Sequence, residues 1–288
     1  MRAVPNARQV IRQAEKIFKK SESFDHVHAG KELADAEELL EFVLGRAPDE
    51  DEEIAGAAVS RFQRLVRRRA VGEPNAYITG RTTFHDLTLE VRRGAFIPRQ
   101  SSEWMADQAV KRLRSRKKPV HVDLATGVGP VALVVAAALP SAQVLGVDVS
   151  ARPIALAKRN AAQLGLRNVK FLRGDLFRPV PPRLLGSVDV VTIHPPYVGR
   201  KEMRTLPFEI LQFEPEESLT DFSPLGDRIV RRVTAEAPMW LCPGGWLLVE
   251  VSPDRAREIA TILRRGGFRD VRSTKGGVDV SRVVVGRT

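Results

Sequence analysis

From about residue 101 the chain alternates between two hydrophobic periods, and this alternation restricts its fold more than any other feature. Val120–Leu124, Gln143–Val147, Val169–Leu172, Val188–Ile193 and Trp246–Val251 read as short buried strands. Val131–Leu139, Pro153–Leu164, and stretches over about 226–240 and 254–265 read as helices. Strands and helices alternating at this spacing form a mostly parallel sheet with helices on both faces. Two last strands, near 269–273 and 279–286, are too close together for a crossover helix, so an antiparallel hairpin is expected at the end of the sheet. The expected class is α/β with a Rossmann-like sheet.

The first 75 residues lack strand patterns. Val10, Ile11, Ala14, Ile17 and Phe18 recur at helical spacing, as do Leu33, Ala36, Leu39, Leu40 and Val43, which end at Gly45. The acidic run Asp49–Glu53 is expected in the first turn of a third helix, where the helix dipole favours negative charge. The Arg67-Arg68-Arg69 triplet at its end is expected to be solvated. Residues 76–100, with Thr82–Val91 rich in β-formers, read as a hairpin linker. The organisation is therefore a small helical domain over 1–75, a linker over 76–100 and an α/β domain over 101–288. Charge follows this division: residues 1–75 hold 13 basic and 14 acidic side chains, and the remainder holds 33 and 21. A basic domain can attract nucleic acid or an acidic assembly. The single cysteine, Cys242, rules out an intramolecular disulfide framework and a cysteine-cluster zinc site. No apolar run approaches the roughly 20 residues of a membrane span, and the N-terminus has no signal-peptide pattern, so a cytoplasmic location is expected.

Val122-Asp123-Leu124-Ala125-Thr126-Gly127-Val128-Gly129-Pro130 is a strand, a glycine turn and a helix start. Small residues there let a ligand approach the backbone, and Pro130 suits a first helical turn. Asp148 ends the next strand, roughly 20 residues on, where an acid binds ribose hydroxyls. Asp175 in Gly174-Asp175-Leu176-Phe177 follows the third strand, where a carboxylate can accept from an adenine amino group and Leu176 can pack on the ring. The turn lacks the G-x-G-x-x-G spacing of dinucleotide sites, and no P-loop is present. A cofactor with one adenosine and a short charged tail, S-adenosylmethionine, fits the pattern.

After the fourth strand comes Ile193-His194-Pro195-Pro196-Tyr197. Two prolines stiffen this peptide and remove its N–H donors, which leaves the carbonyls of His194 and Pro195 for a substrate. Here the chain resembles N-methyltransferases that carry [Asn/Asp]-Pro-Pro-[Tyr/Phe], and among them the HemK/PrmC-type glutamine methyltransferases of peptide release factors. The resemblance runs along nearly the whole sequence: Tyr77–Gly80 with Phe84 and Leu87, Phe96-Ile97-Pro98-Arg99 with Glu103, the Asp123–Gly129 turn, Asn160 with Leu164–Leu166, Leu206-Pro207, Phe213-Glu214-Pro215, Pro243–Gly245 and Arg282–Arg287.

That resemblance implies a class I methyltransferase sheet with a helical substrate-recognition domain. It implies S-adenosylmethionine bound by Phe96, Pro98, Asp123, Ala125, Thr126, Gly127, Gly129, Asp148, Val149, Asp175, Leu176 and His194. His194, Pro195, Pro196 and Tyr197 would hold the acceptor nitrogen against the sulfonium methyl. The implied partner is a protein substrate, a peptide chain release factor, acted on by a monomer; no metal or membrane is expected. A small-metabolite acceptor, or an adenine flipped onto Tyr197, remains open as an alternative. Three positions depart from the family pattern. His194 stands for the motif Asn and can take a proton as well as accept a hydrogen bond. Ala125 stands for the first loop glycine, and Gln100-Ser101 for a Pro-Glu pair. Elsewhere, His121, Cys242, Trp240 and Trp246 are expected to pack in the core, His26 and His28 are too isolated for a metal site, and Glu214–Glu217 is a loop that closes over the acceptor or stays a polar connection.

Overall fold

In the computed structural model, which describes residues 4–26, 30–276 and 281–288, the chain divides into two units. The first comprises the described residues up to Arg81 together with Thr205–Glu214; the second holds Thr82–Arg204 and Pro215 onward. His28 and the start of the last expected strand, residues 279 and 280, lie outside the described residues.

The first unit contains α1 (Ala7–Lys19), α2 (Lys31–Leu44), α3 (Gly56–Ala70), α4 (Asn75–Thr79) and α8 (Phe208–Phe213). A reciprocal cap opens α1: Gln9 N–H donates to the Asn6 side chain, and Asn6 N–H donates to the Gln9 side chain. Gly45 ends α2 at φ +76°, as its position in the pattern implies. Phe18, Leu39, Leu40, Ile54, Phe62 and Val66 close the core.

Two expectations fail in this unit. The acidic run lies ahead of α3 instead of in its first turn. Its carbonyls at Glu52 and Glu50 accept from Ala7 and Arg8 N–H, two donors that the start of α1 leaves without helical partners. The arginine triplet is not uniformly solvated either. Arg69 is 1 % exposed, with Nε 2.6 Å from Asp35 Oδ2 and Nη2 2.8 Å from Glu209 Oε1, and its guanidinium covers the Phe24 ring. The linker also differs from a plain hairpin, because Tyr77–Thr79 belong to α4 and Gly80 caps it at φ +76°.

A hairpin of β1 (Arg81–Phe84), which enters the second unit at Thr82, and β2 (Leu87–Glu90) comes next, followed by α5 (Glu103–Leu113). Then β3 (Val120–Leu124), α6 (Pro130–Ala138), β4 (Gln143–Asp148), α7 (Ala151–Gln163), β5 (Val169–Arg173), β6 (Val188–Ile193), α9 (Arg228–Trp240), β7 (Leu241–Val251), α10 (Ala256–Arg265), β8 (Arg269–Thr274) and β9 (Arg282–Arg287) follow in order. The sheet runs β5-β4-β3-β6-β7-β9-β8, parallel through β7 and antiparallel beyond. The last two strands pair as expected, but β9 inserts between β7 and β8. Val283, Val284 and Val285 are wholly buried and demand two neighbours, whereas arginine-bearing β8 is exposed and suits an edge. One face packs on α5, α6 and α7 through Met105, Ala109, Val135, Ile154 and Ala157. The other packs on α9 and α10 through Val230, Val233, Ile259 and Leu263.

The side chains assigned to the core divide. Trp240 is buried and stacks on Phe177, their centroids 5.5 Å apart. Trp246 is half-buried with the Arg112 guanidinium 4.6 Å from its ring. Cys242 is also half-buried, and burial beside Asp189 pushes its thiol up. Among the described residues no helix is long and apolar enough to cross a membrane.

Candidate active site

In the sheet, β3 has β4 on one side and β6 on the other, so chain order reverses there. Such a switch point leaves a crevice at the strands' carboxyl ends. A cavity occupies that end of the second unit. Of the expected site residues, Phe96, Pro98, Asp123, Ala125, Thr126, Gly127, Asp148, Val149, Asp175, Leu176, His194 and Pro196 line it. Gly129, Pro195 and Tyr197 do not. Gly129 is glycine for another reason: at φ +89° a Cβ would meet the Phe171 ring. Ser102, Met105 and Ile229, which the sequence did not single out, share the lining with Arg99 and Glu217.

The turn after β3 is held from below by a buried polar chain. Thr126 Oγ1 donates to Asp123 Oδ2 and Thr192 Oγ1 donates to Asp123 Oδ1, each at 2.6 Å. His121 Nε2 lies 2.8 Å from Thr192 Oγ1. Because that hydroxyl's proton is given to Asp123, His121 must be the donor through Nε2. Burial drives the His121 imidazole down to about 3, so it is neutral, and pushes Asp123 up to about 6 against its two hydroxyl donors. Thr192→Val orphans the His121 donor and takes one partner from a buried carboxylate. It should destabilise the protein by about 1–3 kcal/mol, read as a lowered midpoint in urea denaturation.

From the side, Asp148 ties the turn to β4. Its Oδ2 accepts from Gly127 N–H and its Oδ1 from Ser150 N–H, both at 2.9 Å. Burial raises its carboxyl, opposed by these two N–H donors and reinforced by the charge of Glu217. Gly127 sits at φ +57° with open space where a Cβ would stand. Ala125 and Leu176 adopt φ of +50° and +48°, a region that penalises any Cβ. Backbone strain of this kind concentrates at ligand clamps, and both residues face the cavity. Asp175 is not a bare carboxylate, since Arg232 grips both its oxygens at 3.1 and 2.8 Å. Asn160 is wholly buried and bonds to Glu90 N and O and to Val128 O, which joins β2 to the turn.

At the end of β6, the His194 ring meets Phe96 edge-on at 5.6 Å and stacks on Tyr197 at 5.8 Å. Burial pushes the Tyr197 hydroxyl up to about 12, so it is a neutral donor. Val198 N–H donates to Leu219 O, and a Cβ at Gly226 would run into the Tyr197 carbonyl, so the loop after the motif is packed tightly against it. Of the Glu214–Glu217 stretch, Pro215 and Glu217 line the cavity, while Glu214 belongs to the helical unit.

Residues 9–80 match the family described as the PrmC N-terminal domain, and residues 115–249 match a methyltransferase domain. The release factor glutamine methyltransferase of Xylella fastidiosa (strain 9a5c) is 37% identical over 235 residues, which cover 81% of this chain and 83% of that protein. The chain belongs to the release factor glutamine methyltransferase family. It is an S-adenosylmethionine-dependent methyltransferase. The Yersinia pestis relative of the same description is 32% identical over 265 residues, spanning 90% of this enzyme and 94% of that one. Among solved structures, the T. thermophilus 16S rRNA N2 G1207 methyltransferase in complex with AdoMet and guanosine aligns with a TM-score of 0.52 at 16% identity. It covers 72% of this chain and 49% of its own. A methyltransferase from Pyrococcus furiosus aligns at 0.51, covering 79% and 98%. These likenesses establish the fold alone.

Proposed function

We propose that this enzyme transfers a methyl group to a glutamine side-chain nitrogen of a peptide chain release factor, held at His194–Tyr197. The observation that carries the cofactor assignment is the charge of the cavity. Asp123, Asp148, Asp175 and Glu217 face it against Arg99 alone among the described lysines and arginines, and the remaining lining is largely apolar. Such a lining repels phosphates and favours a cationic ligand with an apolar body. S-adenosylmethionine, with its sulfonium, its ammonium and an adenine, has that chemistry. When bound, it supplies an electrophilic methyl.

The enzyme's own residues then divide the work. Gly127 leaves room for the amino-acid portion. Asp148, already oriented by two backbone N–H groups, keeps lone pairs for the ribose hydroxyls. Val149, 62 % exposed at the rim, and Leu176 offer apolar cover to the adenine, whose amino group can share Asp175 with Arg232. The stiff His194–Tyr197 peptide holds the acceptor nitrogen, and positioning of this kind can be worth effective molarities of about 10⁵ M or more. The acceptor assignment rests on curated relatives described as release factor glutamine methyltransferases, matched over most of the chain.

Calorimetry should show S-adenosylmethionine binding in the micromolar range, on the order of −8 kcal/mol; absence of binding would reject the cofactor assignment. Labelled methyl transfer offered in parallel to release factor, bulk RNA and a metabolite extract should label release factor. Label appearing in RNA or in the extract alone would overturn the acceptor.

A further inference from the structure

Glu250 lies near the end of β7, in the run Leu247–Val251, where every side chain is buried. A charged residue in such a strand requires a partner, because a buried carboxylate oxygen without a donor costs more than an ordinary hydrogen bond returns. Glu250 is 1 % exposed. Its Oε1 accepts from Ser101 Oγ at 3.3 Å, while its Oε2 has no hydrogen-bond partner among the described residues. His194 Nδ1 stands 3.8 Å from that bare oxygen, with Ser102 Oγ 3.4 Å from the same nitrogen. Two of the residues at which the chain departs from the family pattern, Ser101 and His194, thus both address one buried carboxylate.

We propose that Glu250 is a positioning residue that keeps the His194 ring protonated on Nδ1 and bare on Nε2, making His194 the proton acceptor of the methyl transfer. As a carboxylate Glu250 can only accept, and in that role it places the proton between itself and the ring on Nδ1. The neutral imidazole is then left with Nε2 as its one acceptor nitrogen. The separation of 3.8 Å is too long for a hydrogen bond, but catalytic pairs commonly tighten once substrate is bound. Phe96, perpendicular to the ring, and Tyr197, stacked on it, hold the plane of the imidazole.

The chemistry rests on the proposed methyl transfer to a side-chain nitrogen. The acceptor N–C bond forms as the methyl's S–C bond breaks, and the sulfonium leaves as a neutral thioether. The N–H proton of the acceptor passes to His194 Nε2. Glu250 compensates the imidazolium, which later returns the proton to water. An acceptor that must lose a proton on methylation, such as an amide, is the class this arrangement serves.

Two measurements on the full-length protein test the proposal. Long-range ¹H–¹⁵N spectra of histidine-labelled, cofactor-free enzyme report the tautomer directly, with His194→Asn identifying the signal. The neutral ring should show protonated Nδ1 and bare Nε2, and Glu250→Gln should lose that preference. The opposite tautomer in the wild type, with Ser102 donating to Nδ1, overturns the proposal whether or not the variant folds. With release factor as acceptor, Glu250→Gln should lower kcat by about 10²-fold while KM and cofactor affinity stay within about twofold; an unchanged kcat equally overturns it. If wild-type enzyme does not methylate release factor, the acceptor assignment falls and the tautomer result still decides the role of Glu250.

Discussion

Replacing Arg69 with methionine should destabilise the helical unit by about 3–5 kcal/mol, the usual loss when one partner of a buried ion pair is removed. Arg69 sits between two carboxylates, Asp35 at 2.6 Å and Glu209 at 2.8 Å. Burial pushes the Asp35 carboxyl up, and the charge of Arg69 opposes this most strongly. Methionine retains an apolar side chain over Phe24, so the loss reports charge rather than packing. Lys31, 3.2 Å from Glu209, compensates only one of the two acids directly. Double variants should therefore be non-additive: adding Glu209→Gln to Arg69→Met should recover part of the stability. Urea denaturation with hydrogen exchange on α3 and α8 measures this. A loss below about 1 kcal/mol, the range of an exposed pair, would sink the argument.

Asp148→Asn should weaken S-adenosylmethionine binding on the order of 100-fold, or about 2.7 kcal/mol. The carboxylate serves two purposes at once. It accepts Gly127 and Ser150 N–H, which sets the glycine turn, and it lines the cavity with lone pairs to spare for a ligand. An amide presents one donor end, so it must either break a backbone bond or offer a donor to a ribose hydroxyl. Hydrogen bonds to charged groups are worth about 1.5–3 kcal/mol each, which sets the scale. Calorimetry reads the change, and circular dichroism should show the fold retained. An affinity within about threefold of wild type would mean that Asp148 organises the turn without touching the cofactor.

The α/β layout was legible because the strands of the parallel half are short, mostly apolar runs and longer helical patterns separate most of them. The glycine turn, Asp148 and the His-Pro-Pro-Tyr peptide were legible because unusual residues stand at strand ends. Other features turn on contacts between distant positions. β9 enters the sheet beside β7 because three consecutive valines need cover on both sides and β8 does not. Arg69 reads as one of three equivalent arginines until Asp35 and Glu209 are brought to it. The acidic run before α3 looked like a helix start, yet its carbonyls serve the start of α1. Glu250 did carry a signal, a lone charge in an apolar strand, which periodicity alone does not flag. Gly129 matched a cofactor pattern, but its lack of a side chain answers to Phe171.

Residues 205–214 belong to the helical unit although the chain on either side of them belongs to the other. Neither unit is thus one continuous stretch of polypeptide. A cut after Arg81 would give a leading fragment without Glu209 and a trailing fragment whose ten-residue excursion has lost Arg69. The two parts cannot be exchanged between proteins as separate cassettes. A lineage that alters the helical unit must carry along a stretch lying just beyond the His-Pro-Pro-Tyr peptide in sequence, so the two units change together.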